Sequence, residues 1–490
     1  MTAYQAALCG LFASTALFYL LSLFSGLPTT IKEFFHDSNL KLNTISLTVA
    51  NLALASTLAF ILDGTQIFGF LYLLVPISLL AGQSVYGYLV SRMAPPELFG
   101  RGTLLTGLDT ALNKSAGGQV YFQRIFVFSV GLTYLFALSY EIFVSAGLLA
   151  TAIAPAPTTA TEVLIELLLL TVVMIYTLTG GYRTVQRTDC AQFFFSVTFL
   201  LALSGLLISL ARHQVPNLAA APIVPTNLVT LLGFATLALT PFTAQLYGIL
   251  NHAMASHQGD AKERVSLFRW ARIFTFLLLI ILAFSALFYN TAIGGNGAKT
   301  AVITWVTDNA KSNTATACWL AAFVAAGMGS IIMSTVDTLL ITVTQAYYEG
   351  IANRDSRNVD DHGQLRNVRL SMVILWPLAF LILGVWWYTK PDTFSILFAI
   401  ASPCEALAPL IVLLLVLAKR KHLHLIANAN SSTYIFLFYF LMAVTLAVAL
   451  YALSSHQQWT RSVGFCSLVL SSLTSLPAFI KSQRLLRNGE

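Results

Sequence analysis

The chain has 490 residues, 57% of them hydrophobic and 10% charged, with a mean hydropathy of +0.77, whereas soluble domains average roughly 45–50% apolar and 25% charged. That balance excludes an ordinary soluble enzyme and predicts a polytopic protein of the lipid bilayer. The formal charge of +7 comes from Lys and Arg scattered through short loops; with no aromatic-interleaved basic patch, no nucleic acid partner is expected.

Apolar runs of about 20 residues predict helices near 3–26, 44–63, 66–91, 120–153, 160–180, 188–211, 226–249 and 267–291. Five more fall near 314–347, 367–388, 394–418, 432–453 and 461–482, for thirteen in all. Met1 to Thr30 holds no basic residue, so the first run lacks the charged flank of a cleavable signal and is expected to stay as a helix. With the N-terminus outside, 22 of the 27 Lys and Arg residues fall on the cytoplasmic side. The positive-inside rule then predicts a multi-pass protein of the plasma or bacterial inner membrane with a cytoplasmic C-terminus. Trp386-Trp387-Tyr388 reads as an interfacial aromatic belt. The five cysteines show neither CxxC nor Cys/His spacing, which indicates no disulfide framework and no zinc site.

Two runs carry signs of helix interruption. Segment 44–63 contains Asn51 and a small, polar stretch through Ser56 and Thr57, and ends at Asp63-Gly64; segment 226–249 contains Thr240, Pro241, Thr243 and Gln245. Irregular backbone at membrane depth survives where it lines protein or a cavity, and two such helices five positions apart are the pattern of an inverted-repeat transporter. Between them, Gly180-Gly181 is expected to end one helix. A basic cytoplasmic loop then leads to Thr188-Asp189 at the start of the next, followed by Gln192. Glu141 and Glu405, the latter in Ser402-Pro403-Cys404-Glu405, are further carboxylates within apolar runs.

The densest chemistry lies in Ala325–Tyr348. Ser330, Ser334, Asp337 and Thr338 fall within about 100° of one another on a helix, with Thr335 roughly 60° beyond. Hydroxyls alone are equally read as interhelical glue or as bonded to their own preceding turn. A carboxylate among them points to a cation or proton site facing the protein interior.

Gly180-Gly181, Thr188-Asp189 and Gln192, followed by Met333-Ser334-Thr335-Val336-Asp337-Thr338-Leu339-Leu340, resemble the sodium:solute symporter family, the solute carrier 5-like transporters. The resemblance implies an all-α membrane protein with the LeuT-type five-plus-five inverted repeat. One extra helix and the first loop would occupy 1–43, the repeats 44–212 and 213–425, and two further helices with a cytoplasmic tail 426–490. It also implies sodium as the coupling ion, held in a main site by the carbonyls of Val49, Leu52 and Ile331 and the side chains of Ser334 and Thr335. A second sodium would sit at Asp189, Asp337 and Thr338, sharing Ser334. A small organic solute would lie beside Ser56, Thr240 and Gln245. On this reading Ser334 and Thr335 turn toward the first core helix, and Asp337 and Thr338 toward Asp189.

The expected function is sodium-driven import of that solute by alternating access. The alternatives are a proton in place of sodium, or a transporter-like sensor or degenerate carrier that binds without concentrating. An enzyme is not expected, since no HExxH, GxSxG or Walker pattern occurs. The residues name neither the solute nor an oligomeric state.

Overall fold

The computed structural model describes residues 2–36, 39–52, 55–89, 108, 111–112, 121–154, 156–212, 228–247, 261–293, 297–311, 314–348, 361–389, 393–427, 444 and 462–488. These form α1 (Ala3–Leu23), the short α2 (Ile31–Phe35), α3 (Leu40–Leu52) and α4 (Ala55–Phe68). A 3-10 turn (Gly69–Leu73) leads into α5 (Leu74–Tyr88), then α6 (Tyr121–Ile153) and α7 (Thr159–Ala211). The remainder are α8 (Leu228–Tyr247), α9 (Ala261–Ile293), α10 (Ala298–Lys311), α11 (Ala315–Tyr347), α12 (Asp361–Thr389), α13 (Thr393–Lys419), α14 (His424–Ala427) and α15 (Val463–Arg487). Eight stretches among the described residues are long and apolar enough to cross a membrane, and the chain is a multi-pass membrane protein. The span expected near 432–453 lies outside the described residues except at position 444.

Three boundaries differ from the sequence reading. The 160–180 and 188–211 helices meet without a loop: α7 is helical throughout except at Gly181, where φ is +60° and ψ −151°. That backbone region is essentially confined to glycine. A Cβ at Gly181 would also stand 2.5 Å from the Phe34 carbonyl oxygen of α2, so the corner requires glycine twice over. Asp189 therefore lies about two turns inside the second half of α7, too deep to be held by a helix N-terminus. Secondly, α8 remains helical through Pro241 to Tyr247, so the interruption expected there is absent. Thirdly, the 44–63 region comprises α3 and α4, and α4 continues past Asp63-Gly64 to Phe68.

Breaking a helix frees carbonyls that need donors. At the α7 corner they come from a distant helix: Arg369 Nε donates to the Leu178 carbonyl at 3.1 Å and Nη2 to that of Thr179 at 3.5 Å. From the other side, Arg187 donates to the Phe24 carbonyl at the end of α1. The two arginines counted as loop charges are thus also pins at one end of the bundle.

The core is organised around α11, which is buried almost without interruption from Val324 to Gln345 and packs along α1, α6 and α7. Small residues permit the close approach. A Cβ at Gly10 of α1 would overlap the Ala322 carbonyl, and one at Gly327 would stand 2.7 Å from Phe199 Cβ of α7. Of the expected aromatic belt, Tyr388 is 91% exposed but Trp386 only 1%; its ring packs edge-on against Phe136, centroids 6.0 Å apart.

At the opposite end of the bundle from α2, α10 is strapped to α4. Lys299 Nζ meets Asp63 Oδ2 at 2.7 Å, and Asn290 joins the Thr65 hydroxyl at 3.0 Å to the Ala298 amide at 2.8 Å. Beneath this strap lies a cavity of about 360 Å³, its lining including Leu58, Leu62, Phe199, Leu203, Lys299 and Met328.

Candidate cation site

Most hydroxyls on α11 are spent on their own helix. Ser330 donates to the Ala326 carbonyl at 2.7 Å, Thr335 to Ile331 at 3.3 Å, Thr342 to Thr338 at 2.7 Å and Thr344 to Leu340 at 2.7 Å. This i−4 pattern is ordinary for hydroxyls in apolar helices. Ser334 departs from it: its Oγ donates across to Asp189 Oδ1 at 2.8 Å. The other oxygen, Asp189 Oδ2, accepts from Ser46 of α3. Thr44 and Thr48, on either side of Ser46, bond back to the Leu40 and Thr44 carbonyls at 2.7 Å each. Asp189 is thus the meeting point of α3, α7 and α11.

A second carboxylate stands on the same stretch of α11. Asp337 Oδ2 accepts from the Tyr176 hydroxyl of α7 at 2.6 Å, and Oδ1 from Thr338 at 3.4 Å. Its direct partner is therefore Tyr176, on the near side of the Gly181 corner, where the sequence reading aimed it at Asp189. The two carboxylates are nonetheless close enough to feel each other's charge. Asp189, Asp337, Ser334, Thr335 and Tyr176 have no exposed surface, and Thr338 is 4% exposed. The ion pairs among the described residues are Lys299–Asp63 and Lys311–Asp308, so no described basic side chain pairs with either buried carboxylate.

The main-site residues are assembled in part. Val49 and Ile331 are buried, at 0% and 2% exposure, on helices that pack together. Thr335 reaches the Ile331 carbonyl, which joins two of the expected ligands. Leu52 lies at the end of α3, its side chain outside the described residues. Hydroxyls, carboxylates and backbone carbonyls are all hard oxygen donors, the set that suits a hard cation, and each carboxylate keeps lone-pair capacity beyond the hydrogen bonds it accepts. No group of three or more His, Cys, Asp or Glu with metal-binding spacing occurs among the described residues, which sets this oxygen cluster apart from a transition-metal centre.

Of the expected solute residues, Thr240 alone has a described side chain. The side chains of Ser56 and Gln245 lie outside the described residues. Thr240 turns toward α13, its hydroxyl 2.7 Å from the Thr236 carbonyl and 3.1 Å from Glu405 Oε1. The second oxygen, Glu405 Oε2, lies against Gly464 of α15 and has no hydrogen-bond partner among the described residues. Thr240 therefore belongs to a contact joining α8, α13 and α15. Glu141 of α6 is 2% exposed.

Sequence reasoning missed Ser46 and Tyr176 as carboxylate partners, and Asn43, whose Oδ1 accepts from Tyr182 at 2.9 Å and from Gln186. Spacing held a signal: Asn43 and Ser46 are i, i+3 on α3, and Gln186 and Asp189 are i, i+3 on α7. Each pair lies on one helical face.

No family model and no curated protein matches the sequence. Solved structures do match in fold. A Na+-coupled sialic acid symporter, in its substrate-bound outward-open state, aligns over 96% of this chain and 97% of its own with a TM-score of 0.63 and 13% identity. Mhp1, a nucleobase-cation-symport-1 family transporter in a closed conformation with bromovinylhydantoin bound, aligns over 94% and 95% with a TM-score of 0.55 and 11% identity. The chain accordingly has the LeuT-type fold of two inverted five-helix repeats.

Proposed function

We propose that the chain is a sodium-coupled symporter of the sodium:solute symporter type, which imports a small organic solute by alternating access. One observation carries this reading: Asp189 and Asp337 are fully buried, four hydroxyls address them, and no basic side chain among the described residues offsets their charge. An ionised carboxylate in an apolar interior is costly unless paired. A mobile cation supplies the pairing only while it is bound, as coupling to a gradient requires.

In this reading sodium sits among Ser334, Thr335 and the Val49, Leu52 and Ile331 carbonyls, and a second sodium is held by Asp189, Asp337 and Thr338. Asp189 already touches both α3 and α11, so a cation there favours the conformation in which α3 is docked. A solute recognised between α4 and α8, near Ser56 and Gln245, is then bound more tightly when sodium is present, by reciprocity of linkage. The N-terminus is placed outside and α10 on the extracellular side, in keeping with the loop charges. The same carboxylate pair also suits a proton, the second reading.

The test is unfolding of the purified protein in NaCl against KCl, followed by uptake into proteoliposomes of any solute that adds sodium-dependent stabilisation. Sodium-selective stabilisation is expected, lost in Asp189→Asn and weakened about ten-fold or more in apparent affinity in Ser334→Ala, which removes an oxygen proposed to coordinate the ion. Equal stabilisation by both salts, or an unchanged sodium response in both variants, would overturn the reading. A response to pH gradients alone would favour the proton.

A further inference from the structure

Beyond Asp189 on α7, toward the α10 end, come Gln192 and Ser196, both with no exposed surface. The Ser196 hydroxyl and the Gln192 amide oxygen have no hydrogen-bond partner among the described residues, while the Gln192 amide nitrogen is directed to the Tyr176 phenol. Two unpaired polar oxygens on consecutive turns are costly in a packed helix interface, so they call for an occupant.

Neighbouring contacts fix their direction. Asp189 faces α11 through Ser334, and Phe199 faces α11 at Gly327. At 100° per residue, Asp189, Gln192, Ser196 and Phe199 fall within about 80° of one another, so Gln192 and Ser196 look toward the same helix. There Ser330, one turn from Ser334, donates to its own helix and keeps its oxygen lone pairs. The Gln192 amide also stands beside the Tyr176 phenol, which holds Asp337. Further along, Phe199 and Leu203 pass into the lining of the cavity under α10. Polar atoms thus extend about 10 Å from Asp189 to Ser196, seven residues at about 1.5 Å each, and end one turn short of that cavity, whose lining is apolar apart from Thr151, Ser209 and Lys299.

We propose that Gln192 and Ser196, with Ser330 opposite, form an uncharged station for a partly hydrated monovalent cation on its way between the cavity under α10 and the Asp189 carboxylate. Neutral oxygens hold a cation loosely enough to pass it on, and the carboxylates supply the depth that retains it. The inference rests on cation binding at Asp189 and adds its route.

The test is radiolabelled Na+ binding to the purified full-length protein, read both at equilibrium and as the rate of exchange into excess unlabelled Na+. The variants are Gln192→Met, which removes both amide atoms at similar volume, Ser196→Ala, their combination, and Ser196→Thr, which keeps a hydroxyl. The double variant is expected to exchange about ten-fold more slowly or worse, with equilibrium affinity reduced by no more than about three-fold, because a station on the path governs rates more than depth. Ser196→Thr should restore most of the rate relative to Ser196→Ala. Unfolding in KCl identifies any variant that fails to fold, and Ser196→Ala, which removes one oxygen, then carries the test alone. Unchanged exchange would show that these atoms merely hold water, and loss of binding as complete as in Asp189→Asn would make them direct ligands; either result overturns the proposal. If the unsubstituted protein binds no Na+, the functional reading fails first and takes this proposal with it.

Discussion

Tyr176→Phe separates a cation site at Asp337 from a merely structural carboxylate. The substitution removes one oxygen and leaves the ring, so no cavity opens in the core. It deletes the 2.6 Å hydrogen bond to Asp337 Oδ2 and leaves Thr338, at 3.4 Å from Oδ1, as the remaining side-chain donor. A hydrogen bond to a buried charged group contributes about 1.5–3 kcal/mol, equivalent to roughly 10- to 150-fold in an equilibrium constant. Without sodium the folded state should lose that amount.

With sodium the sign reverses for binding. A cation at Asp337 stands in for the missing donor, so it stabilises the variant more than the parent. By linkage the deficit in KCl minus the deficit in NaCl equals RT ln of the ratio of sodium dissociation constants. The measurement is unfolding of parent and variant in detergent at matched ionic strength, with NaCl titrated against KCl. The deficit is expected in full in KCl and to shrink as sodium rises, with a tighter apparent sodium affinity in the variant. An identical deficit in both salts would refute the reasoning, because Asp337 would then interact equally with or without sodium. No deficit in KCl would refute it too, by showing that the carboxylate does not depend on Tyr176.

Gly181→Ala should cost about 1–3 kcal/mol from backbone strain alone, with the displaced Phe34 carbonyl adding to it, and equally in NaCl and KCl; an unchanged unfolding midpoint would mean that the corner relaxes. Lys299→Ala breaks the Lys299–Asp63 pair, whose side chains are 30% and 21% exposed. Its cost should be at most about 1 kcal/mol and should fade as salt is raised toward about 1 M, whereas a loss that salt does not reduce would contradict a solvent-screened pair.

Helices were legible wherever a run of apolar residues meets lipid, because hydropathy reports that contact directly. It failed between Gly181 and Thr188 for an identifiable reason. Tyr182, Thr184, Val185 and Gln186 are buried, and two of the polar ones bond to Asn43. A polar residue facing a polar interior looks, in sequence, like a polar residue facing water. Pro241 misled in the other direction: proline removes one donor and disfavours a helix interior, yet α8 carries helical structure through it, so its presence alone did not locate a break.

The candidate site shows the same limit at finer scale. That Asp189, Ser334 and Asp337 matter follows from their chemistry at membrane depth, and helical spacing puts Ser334 and Asp337 on one face. Which hydroxyl leaves its own helix does not follow, because Ser330, Ser334 and Thr335 are alike in sequence terms, and so are Thr44, Ser46 and Thr48. The choice depends on what stands opposite. Ser46 and Ser334 are the hydroxyls that meet Asp189, so a cation at that carboxylate would interact at once with α3 and α11. Among the described residues Asp337 bonds to α7 and to its own helix, and a cation there would join fewer parts of the fold. In the proposed cycle, coupling therefore resides chiefly at Asp189: any motion of α3 away from α7 and α11 must break the Ser46 contact and uncover a charge that only an ion can then compensate.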